Sequence, residues 1–86
     1  MRTSVEYTKD TDKGHYVYFT VKGKDCESLF FNFVEFSEKY GFNYSGCPEE
    51  SEDYYCDSFH TEKYWTKKEF MQEFRRCVRD WKRLSK

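Results

Sequence analysis

The chain contains no alanine and no isoleucine, and only two leucines and five valines. A core of aliphatic side chains is therefore excluded. Val5, Val17, Val21, Val34, Val78, Leu29 and Leu84, with Met1 and Met71, are too few to fill an interior. No apolar run is long enough to cross a bilayer as a helix. Residues 1–6 lack the apolar stretch of a secretory signal, and Glu6 would sit inside one. A cytoplasmic protein without membrane contact is expected. One proline and four glycines leave no Pro/Gly-rich linker, and 86 residues leave room for one core, so residues 1–86 read as a single domain. Charge is balanced, with 15 Lys and Arg against 16 Asp and Glu, so the whole-chain charge favours neither nucleic acid nor a membrane surface.

Catalytic signatures are also missing. There is no glycine-rich phosphate loop, and neither Ser28 nor Ser58 lies in a nucleophile elbow. His15 falls on a strand face with Val17 and Phe19, where a structural histidine is the plainer reading. His60 belongs to no motif, and a Cys56–His60 dyad rests on proximity in sequence alone. The chain is expected not to be an enzyme and to carry no cofactor. Cys26, Cys47, Cys56 and Cys77 permit two disulfides in three pairings. Without a secretory signal, reduced thiols are the expectation. Cys47, Cys56, His60 and Cys77 form a conceivable zinc set, but no Cys-x-x-Cys occurs and the gaps are irregular, so no metal is expected.

What the chain has instead is rings: nine Phe, eight Tyr and two Trp. Each buried ring removes a large apolar area from water, so a small aromatic core can suffice. The surplus exceeds one small interior, and some Tyr should remain at the surface, where interfaces use them.

Local pattern predicts the elements. Residues 3–8 alternate with Val5 and Tyr7 on one face. After the turn cluster 9–14, residues 15–21 alternate again, with His15, Val17, Phe19 and Val21 opposite Tyr16, Tyr18 and Thr20. This is a β-hairpin pattern. Asp25 is placed to cap a helix over residues 26–40, whose stripe is Leu29, Phe33, Phe36 and Tyr40, flanked by Phe30 and Val34. Gly41 and Phe42 fit a Schellman stop. Residues 42–45 and 54–60 form a possible second hairpin around an acidic turn. In the latter strand Tyr55, Asp57 and Phe59 share one face, and Tyr54, Cys56, Ser58 and His60 the other. Thr66-Lys67-Lys68-Glu69 is a capping box, with Trp65 and Phe70 as its hydrophobic staple, opening a helix to about Leu84. The order β-β-α-(β-β)-α implies an α+β fold, a small antiparallel sheet with two helices packed on one face.

The charge is polarised. Residues 62–86 hold nine basic and four acidic side chains, while 49–57 hold five acidic ones and none basic. On the last helix Lys68, Arg75, Arg79, Lys82 and Lys86 oppose the apolar stripe and are candidates for nucleic-acid binding. A solvated face with intrahelical pairs from Glu73 to Arg76, Arg76 to Asp80 and Asp80 to Arg83 is the competing reading. Glu49, Glu50, Glu52, Asp53 and Asp57, interleaved with Tyr54 and Tyr55, are the candidate partner-binding surface; a merely solubilising loop is the alternative.

In manner the chain is similar to the small accessory proteins of phages and other mobile elements, which are short, polar, rich in Tyr and Phe and without enzyme motifs. That likeness implies binding and blocking of one host machine, such as a defence or transcription system. The leading expectation is thus a protein-binding inhibitor domain, with a nucleic-acid-handling host protein as one candidate partner. The second is a small nucleic-acid-binding domain using the basic C-terminal helix.

Overall fold

A computed structural model of the chain describes residues 2–10, 14–46, 48–61 and 66–84. Strands β1 (Arg2–Asp10) and β2 (Gly14–Lys22) precede helix α1 (Cys26–Glu38). Two short strands follow, β3 (Asn43–Tyr44) and β4 (Glu49–Glu50), then β5 (Tyr54–His60) and helix α2 (Lys67–Leu84). The expected α+β order is the observed one.

All pairings are antiparallel. β1 pairs with β2 from Arg2↔Lys22 to Asp10↔Gly14. β2 pairs with β5 from Tyr16↔His60 to Lys22↔Tyr54. The other edge of β5 takes both β3 (Tyr44↔Phe59) and β4 (Glu49↔Cys56), so these two are halves of one interrupted edge strand. Between the pairs Tyr44↔Phe59 and Glu49↔Cys56 the edge is interrupted opposite Asp57 and Ser58, and the chain turns at Gly46, whose φ of 82° disfavours a side chain. The acidic turn of the sequence is therefore partly strand: β4 and β5 are joined through 51–53, where the Ser51 N–H donates to the Tyr54 carbonyl at 2.9 Å. The strand order is β1-β2-β5-β3, with β5 inserted between β2 and the strand that precedes it.

Alternation decides what faces the helices. Val17, Phe19 and Val21 of β2 and Tyr55, Asp57 and Phe59 of β5 are buried, while Tyr18 is exposed and Tyr16, Thr20, Cys56 and Ser58 are half-buried on the open face. α1 contributes Cys26, Phe30, Phe33 and Ser37; α2 contributes Phe70, Met71, Phe74, Cys77, Val78 and Trp81. Both helices thus cover one face. α1 lies over β5 and its β3/β4 edge, with Phe30 against Tyr55 (4.6 Å) and Phe59 (5.7 Å). α2 lies toward β1, with Phe70 against Tyr7 (6.5 Å) and His15 (5.4 Å). Two hydrogen bonds tie the helices together: Trp81 Nε1–H to Asn32 Oδ1 at 2.8 Å, and the Tyr40 hydroxyl to Asp80 Oδ2 at 2.8 Å.

Helix ends follow their local signals, with one departure. α1 stops two residues earlier than its stripe implies, in a Schellman turn: Phe42 N–H donates to the Ser37 carbonyl (3.3 Å) and Gly41 N–H to the Glu38 carbonyl (3.1 Å). Gly41 has φ 85°, and Phe42 is fully buried behind it. Asp25 is in the left-handed region (φ 63°), and its side chain makes no capping hydrogen bond. Its carboxylate is therefore not the expected cap, although its carbonyl accepts from Leu29 N–H at 3.0 Å. At α2 the Thr66 hydroxyl accepts from the Glu69 N–H (3.1 Å) and donates to Glu69 Oε1 (3.0 Å), a variant of the capping box. Trp65, the expected staple residue, lies outside the described residues.

Thr66→Ala removes the acceptor of the Glu69 amide and is expected to cost about 1 kcal/mol. A lowered urea midpoint at constant slope checks this; an unmoved midpoint refutes the cap.

Candidate partner-binding surface

The acidic segment separates when folded. Glu49, Glu50, Glu52 and Asp53 are exposed at the β3/β4 edge of the sheet, and Tyr54 is half-buried on the open face. Tyr55 and Asp57, which the sequence pattern joined to them, point the other way and are buried, at 4% and 3% exposure. The reason is the two-residue period of a strand: Tyr55, Asp57 and Phe59 follow one another on the inner face. Asp57 Oδ1 accepts from the Ser58 N–H at 2.6 Å, and Oδ2 is buried without a hydrogen bond of full geometry. The Tyr44 phenol belongs to the same cluster. Burial first, and then hydrogen bonding with Tyr55 and Asp57, holds it well above the ordinary phenol range.

In place of the two buried groups, the acidic end presents Phe31. This ring is 41% exposed on α1, edge-on to Tyr44 (6.2 Å) and 5.3 Å from Tyr55. Glu27, one helical turn back on the same face, is exposed too. Glu50 is the cross-strand partner of Tyr55 and shares its face of the sheet. The sequence pattern does not single out Phe31: its stripe runs through Leu29, Phe33, Phe36 and Tyr40, and it is the packing of Phe30 against Tyr55 and Phe59 that turns the next ring outward.

The basic candidates lie at the opposite edge. Lys68, Arg75 and Arg79 are exposed and Lys82 is half-buried; Lys86 is outside the described residues. Of the three intrahelical pairs expected, Glu73–Arg76 forms, at 3.8 Å, and it is the one salt bridge among the described residues. Asp80 instead accepts the Tyr40 hydroxyl. That carboxylate bond, then burial, raises the Tyr40 pKa.

The conceivable zinc set does not come together. Cys77 is fully buried on the helix side of the sheet, while Cys56 and His60 lie on the open face and Cys47 is outside the described residues. His60 stacks on Tyr16 at 5.1 Å instead. His15 takes the structural place expected of it, hydrogen-bonded through Nδ1 to the Tyr7 hydroxyl at 2.6 Å and stacked on Phe70. Among the described residues no helix is long and apolar enough to cross a membrane. Comparison with family models, curated proteins and solved structures gives no match to this chain.

Two outcomes follow from these placements. Tyr55→Ala opens a cavity and should cost about 3 kcal/mol, whereas Tyr54→Ala should change stability by less than about 0.5 kcal/mol, both read from denaturant unfolding. Burial pushes the Cys77 thiol from 9.0 up to about 12. A raised folded pKa favours the protonated state, so this contribution to stability is complete below pH 9.0 and is lost as pH climbs toward about 12. Alkylation of the native protein followed by peptide mapping should therefore label Cys56 well before Cys77; equal rates would refute the burial.

Proposed function

We propose that this is a non-catalytic protein-binding domain whose recognition surface is Phe31 within the acidic end of the molecule. The observation that carries the reading is the exposure of Phe31 on a rigid aromatic support. Tyr44 and Tyr55 hold the ring from beneath, so little conformational entropy is lost when a partner covers it. Glu27, Glu50, Glu52 and Asp53 are exposed and supply charge at this end of the molecule. Such an arrangement suits a partner with an apolar pocket rimmed by Lys and Arg. The charges speed encounter and the buried ring sets the residence time. Basic grooves of this kind are common on nucleic-acid-handling proteins, and occupying one would block it. The proposed role is accordingly that of an inhibitor of such a host protein.

The test is affinity capture from nuclease-treated host lysate, followed by kinetics on the purified partner. Phe31→Ala should raise the dissociation rate about 30-fold, the size of a hot-spot loss, with an unchanged melting temperature. Glu50→Lys with Glu52→Lys should slow association and flatten its salt dependence, leaving dissociation nearly unchanged. A captured partner that binds Phe31→Ala and the charge variant as tightly as the parent refutes this surface.

A further inference from the structure

At the sheet edge opposite Phe31, α2 and the overhanging face of β1 enclose a trough of about 660 Å³. It is lined by Tyr7, Lys67, Lys68, Met71, Gln72 and Arg75. Arg75 also lines a second depression of about 400 Å³, bounded further along α2 by Val78, Arg79, Lys82 and Arg83. We infer that these two depressions, end to end along α2, together form a trough that seats a single strand of nucleic acid, a function independent of the Phe31 surface.

Charge is the first argument. Among the described residues, six of the lining side chains are cations and none is a carboxylate. None of the six is in a salt bridge among the described residues, because Glu73 pairs with Arg76, Asp80 takes the Tyr40 hydroxyl and Glu69 takes the Thr66 hydroxyl. On the β1 side, Thr3, Val5 and Tyr7 share the face toward the helices, while the carboxylate-bearing Glu6 is on the other face. Among the described residues these six cations thus have no carboxylate in contact, in a chain whose overall charge is only −1. Polyanions are their complement.

Shape selects among polyanions. From Lys68 to Arg83 the helix rises about 22 Å, the length of a short run of nucleotides rather than of one phosphate. The floor is apolar, made of Tyr7, Met71 and Val78, and gives bases a surface while the cations meet phosphates. Lys67 Nζ already stands 4.5 Å over the Tyr7 ring. A duplex read through its major groove needs a helix that protrudes; α2 lies between α1 and the β1 overhang, so the occupant has to enter a concave channel. A bilayer needs an apolar helix face to receive, and that face of α2 is spent on the core through Phe70, Phe74, Cys77 and Trp81.

The experiment is fluorescence anisotropy with purified protein and three probes across a salt series. The probes are a labelled mixed-sequence single-stranded oligonucleotide, its duplex, and phosphatidylcholine vesicles containing phosphatidylserine. No protein partner is present, so the outcome does not depend on Phe31. The expected result is preference for the single strand, with log affinity falling against log salt by about 0.7 per phosphate neutralised. Arg75→Glu with Arg79→Glu should weaken binding at least about tenfold and flatten the slope by about 0.7 for each phosphate that is no longer neutralised. Lys68→Glu, at the other end of the trough, should weaken it independently, and circular dichroism should show all variants folded. Salt-insensitive binding, equal binding by the folded variants, or tighter binding to duplex or vesicles than to the single strand overturns the inference.

Discussion

Phe19 on β2 meets rings from both helices and from the neighbouring strand: Phe33 at 4.3 Å, Phe74 at 5.8 Å, Phe30 at 6.1 Å, Trp81 at 6.2 Å and Phe59 at 6.3 Å. Phe33, Phe59 and Phe74 also touch one another, and Trp81 lies against Phe33. The sheet and both helices are joined through this cluster. Each ring buries roughly 150–250 Å², which at ~25 cal/mol per Å² is a gross ~4–6 kcal/mol. A chain without alanine or isoleucine is stable by this means, since a few rings with two side-chain torsions each replace many aliphatic groups. Most of the contacts are edge-on or tilted, as the quadrupoles of the rings require.

Rings at the centre push polar contacts outward. Trp81 can be buried only because Asn32 accepts its Nε1–H, and Tyr40 reaches Asp80 from the helix rim. These bonds fix the relative position of α1 and α2. The inner face of β5 carries one departure from apolar filling, Asp57, which lies between Tyr55 and Phe59 and faces the half-buried Tyr44 cluster. A carboxylate there is costly unless it is hydrogen-bonded, and the Ser58 amide supplies one such bond.

The strand order also sorts the charges. β1 forms one edge, and α2 beside it brings Lys67, Lys68, Arg75 and Arg79 there. The β3/β4 strand forms the other edge and brings Glu49 and Glu50, with Glu52 and Asp53 in the turn that follows. A nearly neutral chain thus folds into a strongly dipolar one. Nothing in the core requires this, because the exposed Glu and Lys side chains named here make no salt bridge with each other. The polarity adds no ion pair to the fold, and the two proposed surfaces occupy its two poles.

The sequence by itself determined the elements and most of their inward faces. A period of 3.6 over Phe70, Phe74, Cys77, Val78 and Trp81, and a period of two over Val17, Phe19 and Val21, are set by backbone geometry and need no distant contact; the helical pattern runs on to Leu84, which the structure leaves exposed at the end of α2. The Thr66 cap and the Gly41 stop are equally local. Alternation also placed Asp57 with Tyr55 and Phe59, although the density of charge around it argued for the surface. Tertiary structure alone decided three things. It inserted β5 between β2 and the β3/β4 edge, broke that edge between β3 and β4, and left Phe31 uncovered while Phe30 beside it was buried. Strand order and cover depend on which distant faces fit together. Here that is settled by the packing of rings from three other elements around Phe19, a constraint that no window of local sequence contains.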